Sequence, residues 1–284
     1  MRQRWDTVAL IGVGLIGGSI GLALRKRKLA GQVIGIGRRR SSLAKALALG
    51  CVTKTTTSIR RGVGQASLIV VCTPVEQIPE HVAEAAQHCP ADALITDAGS
   101  TKALLVGQAL AALAGRSAER FVGSHPLAGS EKAGAAAARA DLLDGRLVVV
   151  TPTKETPPAT TDRIRAFWQS LGARVVFMSP DQHDASIART SHLPHIVASA
   201  LAAATPEHLL PLTAAGWCDT TRVAAGDAEL WRQILLANCV HSLKALADFE
   251  RVLARLRTAL ETGDGPLLAE ILAEGKRRRD AVAS

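Results

Sequence analysis

Val8 to Leu24 reads VALIGVGLIGGSIGLAL, and this stretch decides how the rest of the chain is interpreted. Gly12, Gly14 and Gly17 stand in G-x-G-x-x-G order, after a β-type run (Thr7 to Ile11) and before a helix-compatible run (Ser19 to Lys28). In such a strand-turn-helix unit the first glycine makes the tight turn. The second lets backbone approach a pyrophosphate, and the third lets helix and strand pack closely. Amide groups at the helix start then face the phosphates with partial positive charge. Gly12, Gly14, Leu15, Ile16 and Gly17 are accordingly the candidate cofactor turn. So apolar a run also suits a secretory leader or a membrane span. Asp6 ahead of it, the Arg25-Lys26-Arg27-Lys28 cluster behind it and the lack of a small-residue cleavage site weigh against both.

The second strand, Gln32 to Ile36, ends at the next diagnostic position. An NAD site places Asp or Glu there to bind the ribose 2′-hydroxyl, and that carboxylate would repel a 2′-phosphate. Here Gly37-Arg38-Arg39-Arg40-Ser41-Ser42 takes its place. This predicts NADP as the favoured cofactor, with NAD the alternative. Arg38 and Arg39 would supply forked, charge-assisted hydrogen bonds, and Ser41 a hydroxyl. Between Thr7 and Val75 there are eleven Lys and Arg residues and no Asp or Glu, so much of the net charge of +9 lies on this half. A phosphate-rich small ligand explains that asymmetry better than a nucleic acid, because the chain has no Tyr and few aromatics for base stacking.

Further along, Ser67 to Cys72, Ala93 to Thr96, Phe121 to Pro126, Leu147 to Val150 and Arg174 to Phe177 read as strands. Helix-like runs fall at Ser41 to Leu49, Ile78 to Gln87 and Thr161 to Leu171. Alternating strands and helices predict an α/β fold, a Rossmann-type, doubly wound, mostly parallel sheet over residues 1–178. Ligands collect at the carboxyl ends of such strands. Thr73-Pro74, directly after the third strand, is therefore a candidate for the nicotinamide side of the cofactor. From residue 179 to 284 β-type runs cease, and Asp184 to Ala204, Leu209 to Trp217, Ala228 to Leu260 and Pro266 to Val282 read as an all-α second domain. The five cysteines show no metal-like spacing, so reduced thiols, a cytoplasmic location and no metal are expected.

The motifs GVGLIGGSIG, VVCTPVEQI, TDAGSTK, GSHPLAGSEKAG, SHLPH and DTTRVAAGDAELW, in this order over residues 6–260, resemble the prephenate and arogenate dehydrogenases of tyrosine biosynthesis. The resemblance implies oxidative decarboxylation of a cyclohexadienol, in which hydride passes to a nicotinamide, carbon dioxide leaves and the ring becomes aromatic. It implies His125 as the base for the hydroxyl proton and Ser100 as its partner on that hydroxyl, with an N-cap the plain alternative for Ser100. A neutral imidazole suits the task, since its ordinary pKa lies near working pH. By the same resemblance Arg222 binds a substrate carboxylate, and Ser130 and Glu131 lie near the substrate pocket, with a capping pair the alternative for these two. Asp219 would orient Arg222 or cap a helix. His192 and His195 are three residues apart and would share one helix face, with Pro194 in the first turn. His195 tilts the reading toward prephenate over arogenate. The resemblance further implies a homodimer built through the helical domain, with a small molecule as substrate.

Three rival readings fit less well. β-Hydroxyacid dehydrogenases and imine reductases share the two-domain plan but not SHLPH with GSHPLAG. A non-catalytic NADP sensor would need none of His125, Ser100 and Arg222. A nucleic-acid binder predicts affinity falling steeply with salt.

Overall fold

The computed structural model describes residues 4–113, 115–129 and 134–283. The first strand, β1 (Trp5–Ile11), leads through the glycine turn into α1 (Leu15–Lys26). Then follow β2 (Ala30–Ile36), α2 (Arg40–Ala48), β3 (Lys54–Thr56), α3 (Ile59–Val63), β4 (Leu68–Val71) and α4 (Ile78–His88). After these come β5 (Leu94–Asp97), α5 (Ala103–Ala112), β6 (Phe121–Pro126), β7 (Leu147–Thr151), α6 (Pro158–Ser170) and β8 (Arg174–Phe177). One sheet takes all eight strands in the order β3-β2-β1-β4-β5-β6-β7-β8. The first six are parallel, β7 runs antiparallel to β6, and β8 is parallel to β7. This is a Rossmann-like, doubly wound sheet, and strand order reverses at β1, between β2 and β4. β3, α3 and α5 are additions to the elements read from the sequence.

Alternation along β1 explains why the sheet is covered on both faces. Val8 and Leu10 join the apolar cluster that holds Ile20 and Leu24 of α1 and Phe167 and Trp168 of α6. Ala9 and Ile11 join the opposite cluster with Val71, Ile78, Val82 and Ile95. A strand buried on both faces reads as the near-continuous apolar run seen here. Each fully buried Leu or Ile contributes about 1.5–3 kcal/mol relative to exposure.

Helices continue with α7 (Pro180–Ile187), α8 (Leu193–Ala204), α9 (Ala215–Thr221) and α10 (Ala228–Ala237). The expected helix from Asp184 to Ala204 is two helices joined by a π turn, Ala188–His192. Pro194 has no N–H to give to the preceding turn, which favours the wider spacing there. In place of a helix from Leu209 to Trp217 there is a 3-10 segment, Glu207–Leu212, followed by α9. The expected long helix from Ala228 to Leu260 breaks at Asn238, whose backbone (φ −116, ψ 34) leaves the helical region. Contacts group Met1–Asn238 into one compact unit, in which α7 touches β7 and α5. The second unit, Cys239–Ser284, is a helical pair of α11 (Cys239–Thr262) and α12 (Gly265–Ala283), bridged by Arg255 and Glu270 at 3.1 Å. Among the described residues no helix is long and apolar enough to cross a membrane.

Candidate active site

The glycine turn opens a crevice at the carboxyl end of β1. Gly12 takes φ +94, a conformation that L side chains rarely adopt, and a Cβ there would come within 2.7 Å of the Cys72 carbonyl at the end of β4. At Gly17 a Cβ would stand 2.0 Å from the Gly12 carbonyl oxygen, so only hydrogen fits. At Gly14 nothing lies within 4 Å of that position, leaving backbone open to a ligand. These three environments fit the dinucleotide roles of the turn. The adjoining cavity, ≈ 670 Å³, is lined by Gly12, Gly14, Arg38, Arg39, Thr73 and Pro74 among others. Ser42 and Lys45 line it as well, whereas Leu15, Ile16, Gly17 and Ser41 do not. Gly17 acts from behind the turn. Thr73 Oγ1 lies 2.9 Å from His81 Nδ1, which ties the loop after β4 to α4. Burial pushes the Cys72 thiol up, so it stays protonated beside the crevice.

Two buried carboxylates organise the neighbouring strand ends. Asp97, last residue of β5, accepts hydrogen bonds from the Gly99 amide (2.8 Å), the Ser124 amide (3.0 Å) and the fully buried Lys102 ammonium. It thereby holds the backbone one residue ahead of His125. Asp184, in α7, accepts from the Lys102 amide (2.7 Å) and the Ala103 amide (2.8 Å). That carboxylate, 82 positions away in the chain, fills the capping role at the start of α5. Ser100 is half-buried and sits three residues ahead of that start, so the N-cap alternative for Ser100 is replaced by Asp184.

His125, half-buried near the end of β6, places Nδ1 2.8 Å from Nε2 of His183, and His183 Nδ1 lies 2.7 Å from Asp184 Oδ1. Burial holds the His125 pKa well below the ordinary imidazole value, with the neighbouring His183, Lys102 and His192 adding to the effect. The imidazole is neutral at working pH.

His192 and His195 follow on the next turns. His192 is fully buried, and burial pushes its pKa down to about 4. Asn238 Nδ2 donates to the Asp184 carbonyl (2.9 Å) and lies 3.2 Å from His192 Nδ1. The first bond fixes which end of the amide faces His192: an N–H, so Nδ1 accepts and Nε2 carries the hydrogen. His195 stacks on Trp231 with centroids 3.6 Å apart and planes at 10°. It also hydrogen-bonds to backbone at Val223, in the 3-10 turn Arg222–Ala225. His192 Nε2 and His195 Nδ1 are buried and have no hydrogen-bond partner among the described residues. Such atoms are costly unless a ligand or water meets them.

Family models match almost the whole chain: "Prephenate dehydrogenase, nucleotide-binding domain" over residues 20–177, and "Prephenate dehydrogenase, dimerization domain" over residues 179–274. The chain belongs to the prephenate dehydrogenase family. It is 36% identical to prephenate dehydrogenase of Bacillus subtilis over 99% of this chain and 77% of that protein. With cyclohexadienyl dehydrogenase of Zymomonas mobilis it shares 32% identity over 97% and 95% of the two chains. Among solved structures it is similar to A. aeolicus prephenate dehydrogenase in complex with hydroxyphenyl propionate and NAD+. The TM-score is 0.90, with 34% identity over 98% of each chain. It is also similar to Synechocystis arogenate dehydrogenase, with a TM-score of 0.82 and 29% identity over 97% and 99%. The protein is thus a nicotinamide-dependent dehydrogenase of this family.

Within this prephenate dehydrogenase fold the candidate residues fall into two groups. Gly12, Gly14, Arg38, Arg39, Thr73 and Pro74 surround the nucleotide cavity. His125, His192 and His195 join one buried network through His183, Asp184, Asn238 and Trp231. Arg222 opens the turn that holds His195, with its own guanidinium exposed. Asp219 lies inside α9, exposed, and caps nothing. Ser130 and Glu131 lie outside the described residues. His183, Asp184, Asp97 and Lys102 escaped the sequence reading. A signal for the first two was present: Ser179-Pro180-Asp181-Gln182 forms a capping box that starts α7 earlier and puts His183 and Asp184 inside the helix.

Proposed function

We propose that the enzyme converts prephenate to 4-hydroxyphenylpyruvate by oxidative decarboxylation, with NADP favoured over NAD. One observation carries this reading: a neutral, half-buried imidazole, His125, stands at the carboxyl edge of the sheet with Nδ1 engaged by His183. Such a group takes the substrate hydroxyl proton as the carbinol carbon is oxidised. Ser100, on the loop anchored by Asp97 and Asp184, shares that hydroxyl. The oriented N–H of His192 Nε2 suits a substrate oxygen, and the Arg222 fork suits a carboxylate. His195, braced by Trp231, closes the same wall and favours the keto acid prephenate. Ser130 and Glu131 are proposed at the pocket from the resemblance alone. When bound, the nicotinamide supplies the hydride acceptor. Arg38 and Arg39, with no carboxylate at the end of β2, support the 2′-phosphate.

The functional division runs near residue 178, with a nucleotide domain before it and a substrate and dimerisation domain after it. The match of residues 179–274 to a dimerization domain supports a homodimer. The unpaired thiols of all five cysteines suit the cytoplasm. The test is a turnover assay by reduced-nicotinamide absorbance with prephenate and arogenate, each with NADP and NAD. The highest kcat/KM is expected for prephenate with NADP. A higher value with arogenate overturns the substrate assignment, and a higher value with NAD overturns the cofactor assignment.

A further inference from the structure

The hydrogen bonds around His125 fix its chemistry as well as its place. Burial alone would raise the Asp184 pKa, but bonds from His183 and the Ala103 and Lys102 amides outweigh it and hold the carboxyl ionised. An ionised carboxylate only accepts, so the His183 Nδ1 facing it must carry hydrogen. Burial keeps His183 neutral, which leaves its Nε2 as an acceptor. Across the 2.8 Å contact, His125 Nδ1 must then donate. Since His125 is itself neutral, its Nε2 bears a lone pair and no hydrogen.

We propose that His183 and Asp184 are positioning residues that lock His125 in its Nδ1–H tautomer, so that Nε2 is the atom that takes the substrate hydroxyl proton. This rests on the reading of His125 as the base. In the proton step the substrate O–H bond breaks, its electron pair stays on oxygen and the proton bonds to Nε2. The imidazolium keeps its Nδ1–H bond to His183, and Asp184 takes up no proton. The geometry gives Asp184 a second task. The carboxylate that orients His183 also holds the Lys102 and Ala103 amides, and so anchors the loop that carries Ser100. Base and hydroxyl partner are thereby registered to one group. His183 spends both ring nitrogens on His125 and Asp184, so it reaches the substrate only through His125.

Two-bond proton–nitrogen spectra of the histidine-labelled enzyme read the tautomer directly in the wild-type protein, whose folding is not in question. His125 is expected in the Nδ1–H form. In His183→Ala the form is expected to mix, and kcat to fall about 10²-fold with KM changed less than about twofold, since a misplaced or wrongly protonated base costs turnover before binding. Wild-type His125 in the Nε2–H form overturns the proposal, as does folded His183→Ala with full kcat or with a loss confined to KM. If His125→Asn retained turnover, the base assignment would fall, while the spectra would still report what His183 does to the ring.

Discussion

Replacing His192 with asparagine tests whether the centre of the histidine network is held neutral by burial. The introduced amide oxygen can sit where Nδ1 sits and accept from Asn238, but it cannot take up a proton. In the native protein the His192 pKa is driven from 6.5 down to about 4, first by burial, then by His183 and His195, against the opposing charge of Asp184. That displacement corresponds to roughly 3 kcal/mol of folding free energy. Because the folded value lies below the unfolded one, the unfolded chain binds the extra proton between about pH 6.5 and about pH 4. The contribution is fully present above the unfolded value and is lost as pH falls through this window. At about pH 5.5 the loss is on the order of 1 kcal/mol, and at about pH 4.5 it is between about 2 and 3 kcal/mol. Urea unfolding followed by tryptophan fluorescence at these pH values, in the native chain and His192→Asn, isolates the term. The variant starts less stable at about pH 7, having lost the edge contact with Trp231, and the gap closes by roughly 2–3 kcal/mol on acidification. A gap that stays constant with pH would refute the buried neutral imidazole.

Three further outcomes are expected. Replacing Arg38 and Arg39 together by alanine should lower kcat/KM for NADP by about 10²- to 10⁴-fold, since each of the two charged hydrogen bonds is worth roughly 1.5–3 kcal/mol, and leave NAD nearly unaffected; initial rates with both cofactors decide it. Arg222→Ala should raise KM for prephenate with little change in kcat, as measured by saturation kinetics. Gly17→Ala should cost roughly 3 kcal/mol and weaken nucleotide binding, because its Cβ would fall 2.0 Å from the Gly12 carbonyl; thermal melts with and without NADP report both effects.

The sequence made the nucleotide half legible because its signals are local. A strand, a glycine turn and a helix sit side by side from Trp5 to Lys26, and the buried strands are continuous apolar runs. α5 was invisible for the opposite reason. ALLVGQALAA has no clear polar face, and its cap comes from Asp184 through tertiary contact, not from Ser100, the N-cap that the sequence offers. The break at Asn238 had no Gly or Pro to announce it; its side chain is drawn instead to Asp184 and His192. The reversal of β7 could not be read either, since parallel and antiparallel strands share the same apolar alternation. At the site, His125, His192 and His195 were legible as residues, and the motif TDAGSTK already contained Asp97 and Lys102. The wiring was not legible, because Asp97 reaches Ser124, His125 reaches His183 and Asp184 reaches Lys102 only in the fold.

The most direct test of the account is turnover of His125→Asn with prephenate and NADP, measured beside its NADP affinity. General-base contributions are typically 10²–10⁴-fold, so kcat is expected to fall by about two orders of magnitude or more while NADP binds as before. Near-native turnover in a variant that binds NADP normally would contradict it.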